Sequence, residues 1–168
     1  MSEAAYYRPV SLEPLDFALK KMIFSPDICT KVQGGAASMV IVPFDPQPIL
    51  DHVELASAGL HLDDSPGLMR VVRQAFRTGL ISRTIAPIQL GHAFELLEEL
   101  PAQKLARFGT GLVRRLEIAR FDDLNETQWQ ACGYRTKADF HKYWTISLPA
   151  TPAEINPWCW LIQFDYKV

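Results

Sequence analysis

The side chains best suited to chemistry start with three arginines. Arg70, Arg73 and Arg77 lie on one side of "DSPGLMRVVRQAFRTGL", and Leu68, Val71, Val72, Ala75 and Phe76 share the other. That spacing predicts an amphipathic helix. A guanidinium row of this kind can meet phosphates, although a plain solvated helix face carries the same residues. His52 and His61, with Asp63 and Asp64 nearby, are the nearest approach to a metal set, and they read as solvated loop residues rather than ligands. The three cysteines, Cys29, Cys132 and Cys159, are odd in number and far apart, with no CxxC pair and no zinc-ligand spacing. They are expected to be reduced and mostly buried. No Walker-type or dinucleotide-type glycine loop is present, because "GGAAS" lacks the lysine that would reach a phosphate.

The elements that must position these groups are marked by capping and periodicity. "MIF" (Met22–Phe24) reads as a short strand, followed by a helix with Ser25 as N-cap, Pro26 in first position and Gly34-Gly35 as the stop. Ser38–Phe44 is apolar and β-branched, hence a buried strand ended near Pro43. After Pro87, "AFELLEEL" and "TGLVRRLEIARF" (Thr110–Phe121) read as strands, the second long and twisted. Asn125 with Gln128 makes a capping box, and Thr136 with Asp139 a weaker relative of one. Phe140 and Trp144 then lie at i and i+4 as a core stripe.

The closing "INPWCWLIQFDYKV" places Trp158, Trp160, Ile162, Phe164 and Tyr166 on one face. Cys159, Leu161, Gln163 and Asp165 take the other. A base-stacking platform would interleave aromatic with basic residues, and Lys167 is the only basic one here. The tail is therefore expected to be a core strand.

Bulk properties restrict the rest. A chain of 168 residues fits one domain. Seventeen Lys plus Arg against nineteen Asp plus Glu give a formal charge of −2, so a basic site has to be local. "MSEAAYYRPVSLEP" has no basic region followed by an apolar run, so no signal peptide is expected. No apolar stretch approaches the roughly 20 residues that span a bilayer. A cytoplasmic protein without a membrane partner is the expectation.

Three stretches together resemble the ASCH superfamily, whose members share the PUA-like fold. "NPWCWLIQF" is similar to the closing strand "NPWVWVIEF" of phage and prophage members. "RLEIARFDDLNETQWQACGYRTKADFHKYW" resembles the stretch in which a strand leads into "ITEEDAxAEGF" and a short helix. "MIFSPDICTKVQGGAAS" is similar to "LLFxPExVxxILxGxKT". A weaker match is "IQLGHAFELL", with His92 where the family's "GD" turn has Asp. The resemblance implies an α+β fold: a small mixed β-barrel with flanking helices, an N-terminal arm over 1–20 and a helical insertion over about 45–83.

Some members of that superfamily are amidohydrolases of acylated cytidine that use a Lys and a Thr from the Gly-x-Lys-Thr loop and a Glu from the "AEG" helix end. Placed residue by residue, the loop Gly falls on Gly35, the Lys on Ala37, the following Thr on Ser38 and the second Thr on Val40. The Glu falls on Cys132. The two positions that most need ionisable groups hold Ala and Cys. Ser38 and Cys132 are substitute nucleophiles, with His92 or His141 as base, but nothing in the sequence joins them. Cys132, late in a helix and followed by Gly133, also fits a buried small residue.

Three functions stay open. The first is a non-catalytic domain that binds RNA or a modified nucleotide through local basic residues: Arg70, Arg73, Arg77, Arg114, Arg115, Arg120 and Arg135. The cleft loop would be Gly35, Ala37 and Ser38, with no cofactor and with salt-sensitive binding. The second is a phage-derived or prophage-derived module that engages a host protein. The third is a divergent hydrolase of acylated nucleosides.

Overall fold

The computed structural model describes residues 6–9, 20–44, 47, 70, 74, 88 and 90–168. Among the described residues six strands form one mixed sheet: β1 (Tyr7–Pro9), β2 (Lys20–Phe24), β3 (Met39–Pro43), β4 (Ala93–Leu100), β5 (Lys104–Arg120) and β6 (Trp158–Lys167). Their order is β1-β2-β4-β5-β6-β3. Only β2 and β4 run parallel; the other neighbours are antiparallel. Three α-helices are described in full: α1 (Pro26–Gln33), α2 (Glu126–Ala131) and α3 (Lys137–Ser147). The expected α+β class with a barrel-like sheet and flanking helices is what the chain forms, and the sheet is curled rather than flat. No helix among the described residues is long and apolar enough to cross a membrane.

Local chemistry accounts for the elements. Pro26 fixes the first turn of α1, which ends at the turn through Gly34 and Gly35. Ser25 occupies the N-cap, but its side chain does not cap the helix. The Ser25 Oγ instead accepts from the Tyr6 N–H at 2.9 Å, and the Ser25 N–H donates to the Tyr6 carbonyl at 2.7 Å. The expected cap is thus used to anchor the approach to β1. At α2 the reciprocal box is complete. At α3 only half forms: Thr136 Oγ1 accepts from the Asp139 N–H at 3.1 Å.

The expected long strand is longer than its apolar pattern. β5 begins at Lys104, and register shifts near Leu96/Leu97 and Val113/Arg115 reset which face each residue takes. Gly111 faces inward because a Cβ there would come within 2.6 Å of the Phe94 ring. The tail behaves as its alternation predicts. Trp160, Ile162 and Phe164 are buried on the inner face, with Trp160 stacked on Phe44 at 4.1 Å and Phe164 edge-on to Phe94 at 5.3 Å. On the outer face Cys159 and Leu161 are buried, whereas Gln163 and Asp165 are only partly covered. Phe140 and Trp144 are buried as expected, and both rings pack with Phe121.

The two outermost strands of the sheet, β1 and β3, meet across its open seam through a side chain. In the β3–β6 ladder, Phe164 N–H donates to the Ser38 carbonyl and Phe44 N–H to the Trp158 carbonyl. With Ile41 opposite Leu161, this phase turns the Ile41 N–H and C=O away from β6, toward the free edge. The Tyr7 hydroxyl of β1 takes both: it accepts from the Ile41 N–H at 2.6 Å and donates to the Ile41 carbonyl at 2.5 Å. Tyr7→Phe leaves two buried backbone groups unpaired, which costs about 2–3 kcal/mol. A urea titration should show a lower midpoint with an unchanged slope; a loss below about 0.5 kcal/mol would remove the seam bond from the account.

Candidate functional site

A pocket among the described residues lies where α2 crosses the outer face of the sheet. It encloses about 350 Å³ and is lined by Met39 of β3, Arg115 and Glu117 of β5, Leu161 and Gln163 of β6, and Asn125, Thr127, Gln128 and Ala131 at α2. The strand contributions are one cross-strand patch: Met39 stands opposite Gln163, and Gln163 opposite Arg115. Leu161, in turn, stands opposite Glu117. Met39, Leu161 and Ala131 supply apolar surface, and amides and charges supply the rest. This volume is within the lower part of the range of small-molecule sites, roughly 300–1,000 Å³.

Helix α2 is fixed at both ends. Its capping box holds the first turn: the Gln128 N–H donates to Asn125 Oδ1 at 3.0 Å, and the Asn125 N–H donates to Gln128 Oε1 at 2.9 Å. At the far end the Ser38 N–H donates to the Ala131 carbonyl at 2.9 Å. Lys31 Nζ of α1 donates to the Gly133 carbonyl at 2.5 Å. Gly133 itself has φ +97, and a Cβ there would come within 2.8 Å of Ile28 Cδ1, so α1 and the end of α2 touch through a bare backbone.

The loop and helix end singled out in the sequence do meet, since Ser38 bonds to Ala131, the neighbour of Cys132. They meet as packing. Ala37 and Cys132 are 3% and 0% exposed, Ser38 is half-buried, and of the loop residues Gly35 is the exposed one. Val40 is buried in the core. Burial pushes the Cys132 thiol far above its ordinary value, against a smaller opposing effect of hydrogen bonds with the Tyr7 hydroxyl and the Ile41 backbone. The phenols of Tyr7, Tyr134 and Tyr143 are likewise held neutral by burial. A thiol so placed is not a thiolate nucleophile at neutral pH. His92 is exposed in the turn before β4, and His141 packs edge-on to Phe121 at 5.9 Å. Among the described residues, no hydrogen bond links either histidine to Ser38 or Cys132.

Of the candidate arginines, Arg115 reaches the pocket, where its Nε donates to Glu117 Oε1 at 2.9 Å. Arg114 faces Asp165 at 3.2 Å, Arg120 lies 5.4 Å from the centre of the Trp158 ring, and Arg135 is exposed in the α2–α3 turn. Arg70 is helical and exposed; Arg73 and Arg77 lie outside the described residues, as do His52, His61, Asp63 and Asp64. Nothing in the residue types of Met39, Glu117, Thr127, Gln128 or Gln163 marks them as site residues. Gln128 carries one usable signal, its place in the capping box.

Against known proteins, the chain matches no family model, no curated protein and no solved structure.

The cysteines give a direct check on this site. Cys29 is buried on the inner side of α1, and burial, helped by the neighbouring Glu98 carboxylate, raises its thiol from 9.0 to about 11. A thiol with a raised folded pKa contributes stability that is fully present below the unfolded value. That contribution is lost as pH climbs from 9.0 toward about 11. Native protein at pH 8 is therefore expected to leave Cys29, Cys132 and Cys159 unlabelled by an aromatic disulfide reagent, with all three labelled in urea. The urea midpoint should decrease as the pH is raised beyond 9.0. Rapid labelling of Cys132 in the native state would restore it as a nucleophile.

Proposed function

We propose that this domain is a non-catalytic binder of RNA or a modified nucleotide, of PUA-like type as the ASCH resemblance implies, and that one base enters the pocket beneath α2. The observation that carries the reading is the lining itself. Met39, Leu161 and Ala131 give a flat heterocycle an apolar surface, while Asn125, Gln128 and Gln163 bring amides that can read the edge of a base. Arg115 stands at the same site, exposed enough to meet the phosphate of the bound nucleotide.

Hydrolysis has weaker support. The positions where the superfamily places its Lys and Glu hold Ala37 and Cys132, both buried and neither ionised at neutral pH. Any residual chemistry would need a base and a nucleophile that the described residues do not bring together.

Phosphate binding contributes modestly to this reading. Arg107, Arg114 and Arg115 each already face a carboxylate, at 3.7, 3.2 and 2.9 Å. Every phosphate engaged by one of them is offset by a carboxylate released, so the salt dependence of binding should be shallower than an open arginine row would give.

Thr127→Trp tests the reading. Thr127 is exposed on α2, so a larger side chain fills the pocket without entering the core. Fluorescence anisotropy with labelled single-stranded RNA in low salt should show saturable binding that weakens about tenfold or more in the variant. The melting temperature should stay unchanged. If no RNA or DNA oligomer binds the wild-type domain, the reading is wrong.

A further inference from the structure

Arg115 and Glu117 are the charged members of the pocket lining among the described residues, and a bulge in β5 puts them there. Val113 stands opposite Phe164, and both are buried in the core. The next pair is Arg115 with Gln163, so β6 advances by one residue while β5 advances by two, and Arg114 is the extra one. By plain alternation Arg115 would share the inner face with Val113. The bulge keeps it on the outer face instead, and Leu116 returns to stand opposite Ile162. Glu117, two residues beyond Arg115, takes the same face as Arg115.

The two charges are paired with each other. Arg115 Nε lies 2.9 Å from Glu117 Oε1, and Arg115 has no other hydrogen bond or ion pair among the described residues. Their side chains are 67% and 44% exposed, so the pair adds little to stability, about 0–1 kcal/mol, and its effect falls on the ligand. Arg114 and Asp165, the next pair on this face, are 3.2 Å apart and likewise cancel. A phosphate drawn to the Arg115 guanidinium meets the Glu117 carboxylate beside it. Attraction and repulsion over similar distances nearly offset each other. If Arg115 turns away from Glu117 to take the phosphate, the ion pair is lost and an unpaired carboxylate stays at the pocket. Neither route gains from the phosphate.

Resting on the nucleotide reading above, we propose that Glu117 is the residue that sets the ligand class of this pocket. It holds the charge of the lining at zero, so the site takes an uncharged nucleoside unit, free or within a strand, and gains nothing from a terminal phosphate monoester. Binding then comes from the apolar surface of Met39, Leu161 and Ala131 and from the uncharged polar lining. The positive charge that would make a phosphate site is present in Arg115, and one carboxylate cancels it. Removing that carboxylate creates a preference that the native domain lacks.

Two substitutions isolate the effect. Glu117→Gln keeps an amide oxygen that can accept from Arg115 and removes the negative charge; Arg115→Gln removes the positive one. Adenosine, cytidine, guanosine and uridine, and the 5′-monophosphate of each, are titrated as competitors against labelled single-stranded RNA in low salt. Anisotropy then gives, for each base, the ratio of monophosphate to nucleoside affinity. In the wild type the two are expected to compete within about threefold of each other. In Glu117→Gln the ratio should rise about tenfold in favour of the monophosphate, and in Arg115→Gln it should fall about tenfold. Melting temperatures should hold, because the pair is exposed. A general loosening of the pocket cancels in the ratio. An unchanged ratio in Glu117→Gln overturns the inference, as does a wild-type preference of about tenfold or more for the monophosphate. RNA binding that no nucleoside or monophosphate displaces overturns it too and leaves the nucleotide reading standing, with Thr127→Trp as its test. If no RNA or DNA oligomer binds, both fall.

Discussion

The Tyr7 hydroxyl holds together the two outer strands of the sheet, which have no ladder between them. Ile41 directs its N–H and its carbonyl toward the free edge of β3, and one phenol from β1 satisfies both. Without it the buried middle of β3 would carry two orphan groups, a cost of about 2–3 kcal/mol together. The Tyr143 hydroxyl donates to the Tyr7 carbonyl at 3.4 Å. The Tyr7 and Tyr143 rings lie 4.8 Å apart, and Tyr143 stacks on Tyr134 at 5.2 Å. Polar tips and aromatic bodies are therefore buried as one unit, and Cys132, at the end of α2, is buried in the same core. Through α2 the seam sets where Asn125 and Gln128 stand over the sheet.

This arrangement explains why the catalytic-looking positions are packed. A glutamate at position 132 would place a charge among Tyr7, Tyr134 and Tyr143, and a lysine at position 37 would bury one beside Gly133, each at a cost of several kcal/mol without a partner. Ala37 and Cys132 instead let α1, the loop and α2 approach until Lys31 bonds to the Gly133 carbonyl and Ile28 packs on the bare Gly133. Close packing at this corner and an ionised active site at the same corner exclude each other. The chain has taken the packing, and its polar surface lies along α2 from Asn125 to Ala131.

Much of this is legible in local sequence. Pro26, the Asn125–Gln128 pair and the alternation of Trp158–Tyr166 each act within a few residues, so α1, α2 and β6 can be placed from capping and period alone. β1 cannot, since three residues carry no period and the role of Tyr7 depends on a strand 34 residues away. The start of β5 is hidden because "KLARFG" has no steady alternation, and the register shift beyond Leu96 changes the face. The pocket is the least legible part. Its strand residues are neighbours only through the pairing of β3, β5 and β6, and register across strands is written in the fold rather than in residue types. The capping box is visible as a helix start; that its two residues also line a pocket follows only once α2 is docked.

Charge completes the relation between site and surface. The outer face of β5 carries Arg107, Arg114 and Arg115, yet each is matched by a carboxylate on its own or a neighbouring strand. Exposed pairs of this kind contribute little to stability, about 0–1 kcal/mol, so their chief effect is on the field. A matched face does not attract a polyanion over distance, and the formal charge of −2 adds no attraction. A nucleic-acid strand that tracked along this surface would have to displace three carboxylates to bind three phosphates. A single nucleotide seated in the pocket needs only Arg115 to exchange partners, while its base meets the apolar surface and the amides. The nucleotide reading proposed above is therefore weighted toward a single bound base, with the backbone of the ligand contributing least.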